Sequence, residues 1–146
     1  LHTLLAQPGV RRFLCDDREL SREDVEEIQR TSAILYEMAG TGLWCMSEPG
    51  AEDRIVGVVG FMRFHEPPVS ELIFAIDEAF WRRGMAVEAG RAMLGYARDA
   101  LGWSVAQAST EIENQASVRT LRSLGFSEVY MMHGPVAPLR IFRRAL

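Results

Sequence analysis

The 146-residue chain contains no lysine; all 16 of its basic residues are arginine. It therefore has no lysine of its own to be acylated, and a lysine Schiff-base mechanism is excluded. Cysteine is scarce. Cys15 and Cys45 form no short pairing motif, which argues for free thiols and a reducing, cytoplasmic setting. Neither has a base beside it in sequence, as an activated acyl carrier would need. No apolar run approaches the roughly 20 residues that span a bilayer. Leu1 to Val10 lacks the basic segment and apolar core of a secretory signal. Positive charge is not in excess either: the net charge of −4 argues against general nucleic-acid binding. The three histidines are scattered without ligand spacing, so no metal site is expected.

What remains is ordinary globular composition, 48% hydrophobic and 25% charged, in a length that fits one domain over residues 1–146. A short helix after Pro8 is compatible with Val10, Phe13 and Leu14. Ser21 followed by Asp24 resembles a capping box and opens a helix to about residue 38, ended by Gly40 and Gly42. Leu43 to Ser47 and Arg54 to Phe64 read as an antiparallel hairpin across a polar turn. His65-Glu66-Pro67-Pro68 breaks the second strand. Val69 to Ile76 is a third strand, apolar enough for burial on both faces. The strongest helix covers 85–101, with Ala86, Ala89, Met93, Leu94 and Ala97 on one face. Gly90 on that face would let the helix lie close to the sheet. Trp103 to Glu111 is a strand, Gln115 to Leu124 a helix, and Phe126 to Met132 and Val136 to Arg143 two strands separated by His133-Gly134-Pro135. The order predicts a mixed, mostly antiparallel α/β sheet with helices on both faces and one parallel crossover through the long helix.

Two turns carry the chemistry. Arg82-Arg83-Gly84-Met85-Ala86 runs directly into the long helix. Unpaired amides at a helix start favour an anion, Gly84 admits close approach, and the arginines add forked donors. Without a partner motif this is equally a glycine turn with solvated arginines. A Rossmann site is excluded by the missing second glycine and the absence of a long parallel strand series. Asn114 and Ser117 mark the second place, where a strand hands over to a helix. Asn114 suits an N-cap, or a ligand contact from the neighbouring strand end.

Together, Trp81-Arg82-Arg83-Gly84-Met85-Ala86-Val87-Glu88-Ala89 and the later Asn114, Ser117 and Leu124-Gly125-Phe126 resemble the GNAT superfamily of acyl-CoA-dependent N-acetyltransferases. They are most similar to its RimJ/RimL branch, which acetylates ribosomal-protein N-termini. The superfamily turn is Arg/Gln-x-x-Gly-x-Gly/Ala, and Trp81 departs from its first position as that branch does. The resemblance implies acetyl-CoA as co-substrate. Backbone groups of Ala75 and Ile76 would pair with the pantetheine arm, and the amides of Arg82, Arg83, Gly84, Met85 and Ala86 would cradle the pyrophosphate. Asn114 would contact the pantetheine region. The tyrosine that protonates the leaving thiolate in many members falls at Leu121, so Ser117 is the expected substitute. A backbone N–H near Ile76 would meet the oxyanion.

Glu71 lies on a strand similar to the glutamate-bearing strand of histone-type members. It is the candidate base for the attacking amine, against the plainer reading of a strand-end carboxylate in solvent. His65 and His133 lie in loops expected to rim the substrate cleft and read as surface residues, with a substrate contact as the alternative; Trp81 reads as a core anchor under the turn. The acceptor would be a protein N-terminus or a small amine. A non-catalytic CoA-binding or assembly module is the rival, kept open by the missing tyrosine. The branch's usual first strand has no counterpart in Leu1 to Leu5. Either the chain is truncated there, or the sheet begins near Leu43 with an open edge that a second subunit would cover.

Overall fold

The computed structural model describes residues 1–65, 67–134 and 136–146; Glu66 and Pro135, expected in two chain breaks, lie outside the described residues. Three helices come first: α1 (His2–Leu5), α2 (Pro8–Leu14) and α3 (Arg22–Ala39). Strands β1 (Gly42–Glu48), β2 (Ala51–Phe64) and β3 (Val69–Ile76) follow, then a 3-10 turn (Glu78–Phe80) and α4 (Met85–Asp99). The chain continues through β4 (Val105–Glu111), α5 (Gln115–Ser123), β5 (Ser127–His133) and β6 (Pro138–Ala145). The sequence pattern misses α1, whose four residues are too few to show a period.

Local chemistry sets the boundaries. Ser21 and Asp24 form a reciprocal capping box. The Ser21 hydroxyl accepts from the Asp24 N–H at 3.1 Å, and the Asp24 carboxylate accepts from the Ser21 N–H at 2.8 Å. That backbone donor holds the Asp24 carboxyl below its ordinary pKa, with the serine hydroxyl adding to it. Gly40, at φ 66°, ends α3 in the left-handed conformation that glycine adopts freely. At the sheet edge, a Cβ on Gly60 would overlap the Gly42 carbonyl oxygen, so only glycine allows β1 and β2 this register.

The six strands run in the order β1-β2-β3-β4-β6-β5. Every neighbouring pair is antiparallel except β3 and β4, which are parallel and meet at a single position, Glu71 opposite Gln107. Helix α4 makes the crossover between them. On one face α4 and α5 bury Phe61, Leu72, Met93, Leu94, Leu121 and Phe142 among others. On the opposite face the early helices bury Leu4, Leu5, Val10 and Val25 against Val58 and Ala75. Each fully buried side chain of this size contributes roughly 1.5–3 kcal/mol.

One packing detail differs from the sequence expectation. The close approach at Gly90 is to α5 rather than to the sheet: a Cβ there would lie 2.6 Å from Leu124 Cδ1. The last strand, β6, inserts between β4 and β5. Ile141 and Phe142 are fully buried there, while β5 is left as a largely exposed outer strand.

Candidate active site

Beyond Glu71 and Gln107, β3 and β4 separate, and a cleft of about 1020 Å³ opens between their C-terminal ends. All ten residues expected at the site line it: Glu71, Ala75, Ile76, the turn Arg82 to Ala86, Asn114 and Ser117. They come from β3, from the turn ahead of α4, and from the start of α5. The splay brings these three elements to one cavity.

The exposed backbone edge of β3 is set by alternation. Asp77 N–H donates to the Val56 carbonyl at 2.9 Å, and the antiparallel register pairs Ala75 with Val58. Hydrogen-bonded positions recur every second residue. The Ala75 N–H and C=O therefore point at β2, and its methyl group packs with Leu4, Leu5 and Val10. The backbone that faces the cleft belongs to Phe74 and Ile76, which corrects the expected pair by one residue. The Ile76 carbonyl already accepts the Trp81 indole N–H at 2.7 Å, so its N–H is the free group. Trp81 is 48% exposed and so is not a core residue; its hydrogen bond to the end of β3 anchors the turn.

Among the described residues, the turn leaves a run of backbone amides unpaired. Gly84 is the N-cap of α4 at φ 79°, and no atom lies within 4 Å of where its Cβ would be. Val87 and Glu88 donate back to the Gly84 carbonyl. The amides of Arg82, Arg83, Gly84, Met85 and Ala86 have no acceptor among the described residues. Consecutive free N–H groups at a helix N-terminus, opening onto a cavity, suit an anion. Arg82 is itself left-handed, at φ 63°, which curls the chain into the nest. The two arginines differ. Arg83 donates to the Ala79 carbonyl at 3.1 Å and stacks its guanidinium 4.8 Å above the Phe80 ring, whereas Arg82 makes no ion pair among the described residues.

Asn114 is the cap of α5. Its Oδ1 accepts from the Ser117 N–H at 3.0 Å, so its amide NH2 is what remains to face a ligand. Ser117 is half-buried on the cleft wall. Leu121, where a tyrosine stands in many family members, is fully buried in the α4–α5 core.

Glu71 is not a solvent carboxylate: it is 1% exposed. Three side chains reach it. The Gln107 amide donates to Oε1 at 2.8 Å, His65 Nε2 lies 3.1 Å from the same oxygen, and the Ser109 hydroxyl donates to Oε2 at 2.5 Å. Arg143 Nε donates to Gln107 Oε1 at 2.9 Å, which fixes the direction of that amide. His65, expected at the surface, is instead mostly buried, with 16% of its side chain exposed; His133 is exposed. Sequence reasoning missed Gln107, Ser109 and Arg143. The period-2 alternation of the strand 105–111 placed Gln107 and Ser109 on one face, but nothing in sequence put that face beside Glu71.

The early helices wall the cleft. Gly9 N–H donates to Glu78 Oε1 at 2.6 Å and Glu78 N–H to Gln7 Oε1 at 2.9 Å, tying α2 to the 3-10 turn. Val10, Phe13 and Leu14 line the cavity with Phe64 and Leu139. Glu111 also lines it; burial, with Asp16 and Glu113 nearby, raises its carboxyl above the ordinary range. Both cysteines are free thiols, and burial raises that of Cys15, the reverse of what an activated nucleophile requires. Among the described residues no His, Cys, Asp and Glu group is arranged to hold a metal ion, and no helix is long and apolar enough to cross a membrane.

A splayed parallel strand pair, a glycine-capped turn with free amides and a buried carboxylate thus share one cleft. The model of the acetyltransferase (GNAT) domain matches residues 1–127, and the chain belongs to that family. It is an acetyl-CoA-dependent N-acetyltransferase. No curated protein sequence matches it. Its fold is similar to that of a putative GNAT-family acetyltransferase from Bordetella pertussis, at 21% identity and a TM-score of 0.80 over 88% of this chain and 80% of that one. It is also similar to RimL, the ribosomal L7/L12 α-N-protein acetyltransferase, solved in complex with coenzyme A. There the identity is 17% and the TM-score 0.79, over 99% of this chain and 86% of that one. AAC(6')-Ib in complex with paromomycin and acetyl-CoA gives 13% identity and a TM-score of 0.78, over 99% and 85%. At these identities the likeness is one of fold.

Proposed function

We propose that this enzyme transfers the acetyl group directly, within a ternary complex, to the primary amine of a protein N-terminus or of a small molecule. Glu71 serves as the base and Ser117 as the acid for the departing thiolate. The observation that carries this reading is the buried Glu71 carboxylate at the point where β3 and β4 part, in the same cleft as the amide nest. The nest and Arg82 bind the pyrophosphate, and the free edge at Phe74 and Ile76 pairs with the pantetheine arm. Asn114 contacts that arm through its amide. The thioester carbonyl then lies near the Ile76 N–H, which stabilises the oxyanion. The amine approaches from the side of α2 and β6 and loses its proton toward Glu71 as it attacks.

Among proteins of this fold, one is named for ribosomal L7/L12 and another is solved in complex with paromomycin, so the choice of acceptor is assigned to the loops around the cleft. Two features favour a cytoplasmic setting: the free thiols and the use of acetyl-CoA. The outer strand β1 leaves an edge that a second copy of the chain would cover.

Thiol release from acetyl-CoA with a panel of short peptides and small amines tests the proposal. Turnover on at least one amine is expected, with Glu71→Gln lowering kcat by about 100-fold or more while CoA still binds. CoA binding without turnover on any amine, together with no effect of Glu71→Gln, sinks it.

A further inference from the structure

The surroundings of Glu71 assign its neighbour a role. We infer that Ser109 is the group that touches the attacking amine, passing the amine's proton to Glu71. This rests on the reading of Glu71 as the base and adds the step between substrate and carboxylate.

The argument is one of access and of lone pairs. Glu71 is 1% exposed, and its three partners surround it. A carboxylate offers about four acceptor positions. Gln107 donates to Oε1, His65 Nε2 lies 3.1 Å from that oxygen, and Ser109 donates to Oε2. Gln107 is itself buried and held by Arg143, so it has no freedom to turn aside. Ser109 is only half-buried and lines the cleft on β4, beside the point where the strands separate. Its single proton is committed to Glu71 Oε2 at 2.5 Å. A hydroxyl that donates its proton keeps two lone pairs, and these are what an incoming N–H requires. Ser109 is thus an acceptor toward the cleft and a donor toward the carboxylate.

The step balances without any other reagent. The neutral amine nitrogen forms its bond to the thioester carbonyl carbon. Its N–H bond breaks, and that proton joins Ser109 Oγ. The original Ser109 O–H bond breaks, and its proton joins Glu71 Oε2. The C–S bond then breaks with its electron pair on sulfur, which takes a proton from the acid on the α5 side. The amine's proton has been exchanged for one held on Glu71, and Ser109 ends as it began. Solvent resets the acid and the carboxyl once the products leave.

Single-turnover acetyl transfer, using acetyl-CoA and the fastest amine of the panel above, tests the inference alongside CoA affinity. Ser109→Ala should slow transfer about tenfold or more with CoA affinity unchanged. Ser109→Thr, which keeps a hydroxyl on Cβ and suits a strand, should recover most of that rate. Three results overturn the role: Ser109→Ala within twofold of the wild type, equal losses in the Ala and Thr variants, or a loss of CoA affinity in Ser109→Ala that marks a residue serving the fold. Glu71→Gln separates the two levels. If Glu71→Gln is inactive while Ser109→Ala is normal, only the relay falls; if Glu71→Gln is as fast as the wild type, the base assignment falls with it.

Discussion

The carboxylates in this cleft show how placement decides chemistry. Glu71 is buried with three polar partners, while Glu111 at the cleft wall gathers like charge from Asp16 and Glu113. The raised pKa of Glu111 has a consequence for stability. A carboxyl whose folded pKa lies above its unfolded value favours folding in its protonated form, so its ionisation at neutral pH works against the fold. Below the unfolded value both states are protonated and the penalty vanishes. Glu111→Gln should therefore raise Tm at pH 7, and the gain should shrink as pH falls through the carboxylate range. Thermal melts of both proteins from pH 7 to pH 3 check this, and a gain that stays constant with pH would contradict it.

At the scale of the element, the turn into α4 separates folding from binding. Gly84 has open space around its Cβ position, so a side chain there meets no atom of the protein. Its cost to the fold is the left-handed backbone at φ 79°, about 1–2 kcal/mol for a residue other than glycine. Gly84→Glu should then leave a folded protein whose affinity for CoA is reduced beyond measurement, because the carboxylate occupies the nest and repels the diphosphate. Calorimetric titration with CoA reads the affinity, and circular dichroism confirms the fold. Retained affinity would refute the cradle. Gly90 is the contrasting case on the same helix, its missing side chain making room for Leu124.

For the whole molecule, binding and stability are linked through the cleft. CoA bound in the proposed cleft would touch both halves of the splayed sheet and should stabilise the native state alone. At 100 times its dissociation constant it adds about 2.7 kcal/mol, which for a domain of this size moves Tm by about 5–10 °C. A thermal-shift titration should show this rise in the wild type and none in Gly84→Glu. An equal rise in both would place the ligand elsewhere.

The sequence by itself determined the elements, because their signals are local. Periodicity marked α4, a nearly continuous apolar run marked β3, the Ser21–Asp24 pair marked the start of α3, and Gly84 marked the turn into α4. Two motifs in the right order also reached the family. Tertiary structure alone decided which groups meet. The one-pair contact of β3 with β4 is a relation between residues 36 positions apart, and it places Gln107 and Ser109 against Glu71. Strand register turned the Ala75 backbone away from the cleft and left Phe74 and Ile76 facing it. The loop after β2 brought His65 inward, where composition had suggested solvent. Local patterns record how a segment folds on itself, whereas a buried hydrogen-bond network depends on how distant segments are packed, and no single segment carries that information.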